Sequence, residues 1–116
     1  GEQLRDLNFV DDVVNAFLTC ATNTKALGKV YNLGSSEIVS LKELAEILIH
    51  DNDGRFTIKE FPEERKIIDI GDYYLDFNLI NSELGGKQSV SLMQGLKATL
   101  EYYRENKSEY LVDSSM

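Results

Sequence analysis

Among its 116 residues the chain has no tryptophan, one histidine, one cysteine and one proline. With Cys20 alone, no internal disulfide can form, which fits a reducing compartment and a cytoplasmic location. His50 is the one histidine, and Asp11-Asp12 have no other acids or histidine at ligand spacing, so no metal site is expected. No apolar run approaches the roughly 20 residues needed to span a bilayer, and no signal peptide is visible, so no membrane partner is expected. Cations are scarce too: 12 Lys and Arg stand against 20 Asp and Glu, a net charge of -8. The densest charge cluster, Glu63-Glu64-Arg65-Lys66, is mixed in sign, so nothing offers nucleic acid a basic patch. Also missing is a glycine-rich phosphate loop. Gly28, Gly34, Gly54 and Gly71 are isolated, and Gly85-Gly86 leads into a polar turn rather than a helix. No cofactor is therefore expected to bind this chain by itself.

What is present is an ordinary globular composition, 42% hydrophobic and 28% charged. The length allows one domain with a modest core, burying roughly two thirds of the unfolded surface. Leu7 to Val10 reads as a short strand or extended lead-in. Val13, Val14, Phe17, Leu18 and Ala21 recur at helical spacing, predicting a helix to about Asn23 with its apolar stripe in the core. Asp11 and Asp12 open that helix, where a carboxylate suits free N–H groups better than it suits a catalytic or metal-binding pair. Lys29 to Leu33 alternates as a strand does, and so does Phe56 to Phe61, stopped by Pro62. Ser40 and Glu43 form a capping box for a helix ending near His50, and Asp51 to Gly54 is a turn. Asp76 is placed to cap a short helix that Gly85 stops in the left-handed conformation. Ser91 and Gln94 cap the longest helix, running to about Asn106. Residues 1–106 make the ordered lobe and 107–116 a frayed tail.

Individual reactive residues have plain readings. Cys20 is a small core residue. His50 complements the dipole at a helix end or is simply exposed. The scattered tyrosines are packing. Tyr103 and Lys107 match Tyr-x-x-x-Lys by spacing, but they sit at the charged end of the last helix, so no catalytic residue is assigned.

Four segments in order carry more information than any residue alone. They are Arg5-Asp6-Leu7-Asn8-Phe9-Val10-Asp11-Asp12, then Val30-Tyr31-Asn32-Leu33-Gly34-Ser35 leading into Val39 to Ala45, then Asp69-Ile70-Gly71-Asp72, then Leu84-Gly85 with Ser91 to Leu96. In this order the chain resembles the C-terminal, substrate-binding part of NAD-dependent nucleotide-sugar epimerases and dehydratases, the extended short-chain dehydrogenase/reductase family. The family pattern departs at Leu7, where an aromatic is usual.

The resemblance implies a helix-rich α/β fold with few short strands, lacking the N-terminal Rossmann part. It implies that Val30 to Leu33 belongs with the large sheet of a longer enzyme. It also implies that the chain, which opens in mid-pattern at Gly1, is a fragment that binds a nucleoside-diphosphate sugar, with NAD held by the rest. Arg5 would contact the diphosphate, where its forked donors fit. Arg65 would meet the phosphates, with Lys66 competing for that position, and Asp69 would bond the ribose hydroxyls. The fragment alone would be inactive and prone to self-association. The rival reading is a small helix-rich interaction or oligomerisation module without nucleotide binding.

Overall fold

A computed structural model describes residues 1–50 and 52–111. The turn expected at Asp51 to Gly54 and the tail expected to Met116 lie partly outside them. The fold is helix-rich with two short strands, β1 (Leu4–Asp6) and β2 (Ile38–Ser40). They pair antiparallel, with Leu4 opposite Ser40 and Asp6 opposite Ile38. The helices are α1 (Val10–Thr22), α2 (Leu41–His50), α3 (Glu63–Lys66), α4 (Asn78–Leu84), α5 (Leu92–Glu105) and α6 (Lys107–Tyr110).

Local chemistry sets most helix ends. Ser40 Oγ accepts the Glu43 N–H at 3.1 Å while Glu43 accepts the Ser40 N–H at 2.8 Å, so β2 turns directly into α2. The Ser40 N–H first, and the Ser40 hydroxyl after it, hold the Glu43 carboxyl below its ordinary value. Ser91 and Gln94 make the same reciprocal pair for α5. The Leu92 N–H at that helix start also donates to the Glu37 carboxylate at 2.6 Å. Asp76 accepts the Asn78 N–H that opens α4, and Gly85 closes it at φ 69°.

Two expected strands do not form. Residues 29–33 and 55–61 have no regular structure and pair with no strand among the described residues, and Val30 is 87% exposed. Alternation records a preference for the pleat; a strand also needs a neighbour to accept its N–H groups. The first strand falls at Leu4–Asp6 rather than Leu7 to Val10 because β2 is available there.

The carboxylates of α1 behave differently from the caps expected of them. The cap position is Phe9, which makes no side-chain cap bond. Asp12 is 5% exposed and turns inward. Its Oδ1 accepts the Ser89 N–H at 2.9 Å and the Ser89 hydroxyl at 2.5 Å, and its Oδ2 accepts the Val90 N–H at 3.1 Å. The helix is thereby clasped to the loop that leads into α5. Most of the apolar stripe expected in the core points outward: Val14, Phe17, Leu18 and Ala21 are exposed, Phe17 at 72%, and Val13 is half-buried; Val10 is exposed as well. Asp12, Val13, Ala16, Thr19 and Cys20 occupy the inner face.

The core is correspondingly small: among the described residues, Ile80 and Leu92 are the buried large apolar side chains. The surface is 9252 Å². Surface scaling gives about 6,400 Å² for a folded monomer of this mass. The radius of gyration is 17.7 Å against about 13 Å for a globular chain of this length.

Burial pushes the Asp12 carboxyl up, but the bonds from Ser89 and Val90 outweigh it, and its pKa lies below the ordinary value. A lowered folded pKa stabilises the fold above the unfolded value of about 4 and ceases to do so as pH falls through the folded value. Chemical denaturation of Asp12→Asn should show a loss of about 2 kcal/mol or more at neutral pH. It should also show a flatter acid limb than the parent. Ser40→Ala should cost about 1 kcal/mol by the same measurement, through loss of the cap.

Candidate functional site

Two of the three expected substrate-binding residues, Arg5 and Asp69, come together at one edge of the small sheet. On the side of β1 away from β2, residues 71–75 run alongside, with a parallel bridge between Arg5 and Tyr73. The Tyr73 N–H donates to the Leu4 carbonyl at 2.9 Å. Arg5 Nη1 donates to the Gly71 carbonyl at 2.6 Å and to the Leu4 carbonyl at 2.7 Å. Asp69 Oδ2 accepts from the Gly71 N–H at 3.3 Å and from Gln3 Nε2 at 3.4 Å. The N–H and the carbonyl of Gly71 thus link Asp69 to Arg5, although the two residues are 64 positions apart in sequence.

Arg65 is not gathered in. It lies on α3, exposed, and its guanidinium has no hydrogen-bond partner among the described residues. Its competitor Lys66 is tied locally to Glu63 at 2.5 Å. That pair is exposed and of the weak i,i+3 kind. Between them, Arg65 is the cation left open to an incoming anion.

Three residues to which the sequence segments gave no role also shape the site. Gln3 reaches Asp69, Asp72 Oδ1 accepts the Leu4 N–H at 2.8 Å, and Asp6 Oδ2 accepts the Leu75 N–H at 3.1 Å. The adjacency of Asp6 to Arg5 suggests a surface ion pair, yet the described salt bridges do not include it. Nothing in a sequence shows that a carboxylate will accept from a main chain nearly 70 residues away.

Other features lie apart from this edge. A groove of about 360 Å³ opens between α2 and α5, floored by Ile47, Leu48, Met93, Leu96 and Leu100. Cys20 is half-buried beside a smaller cavity with Tyr31 and Ile80. The Tyr31 hydroxyl donates to Glu83 at 2.6 Å, and that bond to a carboxylate, with some burial, pushes the phenol up to about 12. Tyr103 packs edge-to-face on Tyr102 and Tyr110 at the end of α5. No group of three potential metal ligands occurs among the described residues.

No protein-family model matches the chain. Individual proteins do. The dTDP-glucose 4,6-dehydratase of Streptomyces griseus is 34% identical over 93% of this chain and 32% of its own length. The crystal structure of UDP-glucose 4-epimerase with UDP-glucose from Thermotoga maritima superposes with a TM-score of 0.74 at 30% identity, over 92% of this chain and 33% of that one. A Bordetella bronchiseptica enzyme in complex with NAD+ and UDP gives a TM-score of 0.75 at 28% identity, over 94% and 32%. The chain is related to the nucleotide-sugar epimerases and dehydratases of the extended short-chain dehydrogenase/reductase family. It spans about a third of the length of the relatives it matches. Among the described residues, no helix is long and apolar enough to cross a membrane.

Proposed function

We propose that this chain is the sugar-nucleotide grip of an NAD-dependent nucleotide-sugar epimerase or dehydratase. Arg5 and Arg65 hold the diphosphate, and Asp69 accepts from the ribose hydroxyls. The observation that carries this reading is the Gly71 backbone, whose carbonyl and N–H hold Arg5 and Asp69 at one edge of the sheet. A guanidinium fork suits a phosphate oxygen pair, and an acceptor-only carboxylate suits two hydroxyl donors. These residues bind and orient; none is placed to react. NAD, held by the rest of the longer enzyme, supplies the hydride acceptor. Titrating the chain with uridine diphosphate, followed by amide resonances, should move signals at Arg5, Asp69 and Gly71. Incubation with UDP-glucose and NAD should give no turnover. An absence of shifts at millimolar diphosphate would remove the reading, and turnover would remove the division of labour.

The outward face of α1 supports the same picture. Val10, Val14, Phe17 and Leu18 form an apolar patch, with Leu27 and Val30 also exposed nearby in sequence. Patches of this kind mark interaction surfaces. In the longer enzyme its occupant is the Rossmann part, whose sheet takes up the Val30 segment. In the isolated chain a second copy covers it. Light scattering should show the mass rising with concentration, and Phe17→Glu should shift the species toward monomer. A parent chain that stays monomeric at high concentration would refute this.

A further inference from the structure

We propose that Asp6 is a positioning residue, which holds Arg5 and Asp69 in register without touching the ligand. This rests on the assignment of Arg5 and Asp69 to the diphosphate grip. The reasoning starts from how little ladder the site has. β1 is three residues long, and among the described residues its outer edge carries one isolated bridge, between Arg5 and Tyr73, with the Tyr73 N–H donating to the Leu4 carbonyl. A bridge one residue long holds its register weakly, and a slip of one residue would turn Arg5 to the opposite face.

Two carboxylates complete the alignment. Asp72 Oδ1 accepts the Leu4 N–H at 2.8 Å on one side of the Arg5–Tyr73 bridge. Asp6 Oδ2 accepts the Leu75 N–H at 3.1 Å on the other. The bridge is therefore pinned at both ends, with Arg5 between the pins and its Nη1 on the Gly71 carbonyl.

Asp6 does more than Asp72. The same Oδ2 also accepts the Ser35 N–H at 3.3 Å, which brings in a third segment. Gly34 is packed into this junction: a Cβ there would stand 2.7 Å from the Leu75 carbonyl and 2.8 Å from Asp6 Oδ2. One carboxylate oxygen thus fixes β1, the loop at residues 34–35 and the segment at 71–75. Since Asp6 engages main-chain donors, the Arg5 guanidinium keeps Nε and Nη2 without protein partners among the described residues. These are the donors left to face a diphosphate.

The test uses the 116-residue chain and its Asp6→Ala and Asp6→Asn variants. Amide hydrogen exchange should show the Tyr73 and Leu75 N–H groups exchanging at least about tenfold faster in Asp6→Ala, while the Asp12-clasped Val90 N–H keeps its protection. Uridine diphosphate should bind about tenfold or more weakly, since a small misplacement of a positioned group carries a cost of that order. Asp6→Asn retains one acceptor oxygen and should recover part of both losses. If Asp6→Ala does not fold, Asp6→Asn is read against the parent, with the same changes expected at smaller amplitude. Unchanged Tyr73 protection in a folded variant would overturn the proposal. So would parent-like affinity in Asp6→Ala. If the parent itself fails to bind uridine diphosphate, the grip reading falls, while the exchange data still decide whether Asp6 sets the register.

Discussion

Side-chain carboxylates acting as acceptors for remote main-chain N–H groups are what the rest of this structure depends on. Two strands of three residues cannot pair the extended segments that a chain of this length must bring together. Asp6 and Asp72 bind the segment at 71–75 to β1, Asp12 binds the loop at 89–90 to α1, and Glu37 binds the start of α5. Each such bond joins a charged acceptor to a backbone donor, about twice as strong as a neutral pair. The excess of acidic residues therefore has a structural use, and part of the -8 net charge is held against N–H dipoles.

This arrangement explains how the fold coexists with so small a core. Polar clamps work at the margins of a structure, where burial is partial. They leave the apolar face of α1 free to point away from its own chain. The inner face of that helix has Asp12, Ala16 and Thr19, small or polar residues that fit against a loop rather than a hydrophobic layer. A surface well above the scaling value follows from the same cause, because the largest apolar side chains of α1 contribute area without contributing to the core.

How much was legible in the sequence depended on whether a feature was local. The capping boxes at Ser40–Glu43 and Ser91–Gln94 and the left-handed Gly85 were readable because their partners lie within four residues. The ends of α2 and α5 followed from them. Strands were not readable, because alternation at residues 29–33 and 55–61 says nothing about a neighbour. β2, three residues directly before a helix, has no alternation to find. The direction of the α1 stripe was misread for a related reason: periodicity shows that a helix has an apolar face, not what that face meets. At the sheet edge, Arg5 and Asp69 were singled out by the ordered segments. The contacts of Asp6, Asp72 and Gln3 were not legible, since their partners are main-chain or side-chain groups 29 or more positions away.

The two kinds of feature depend on different partners. Around Gly71, every donor and acceptor is supplied by residues 3–75. The Val30 segment has no ladder among the described residues. Carboxylate clamps rather than a wide sheet therefore hold this edge in shape. The apolar face of α1 is the part least suited to stay exposed.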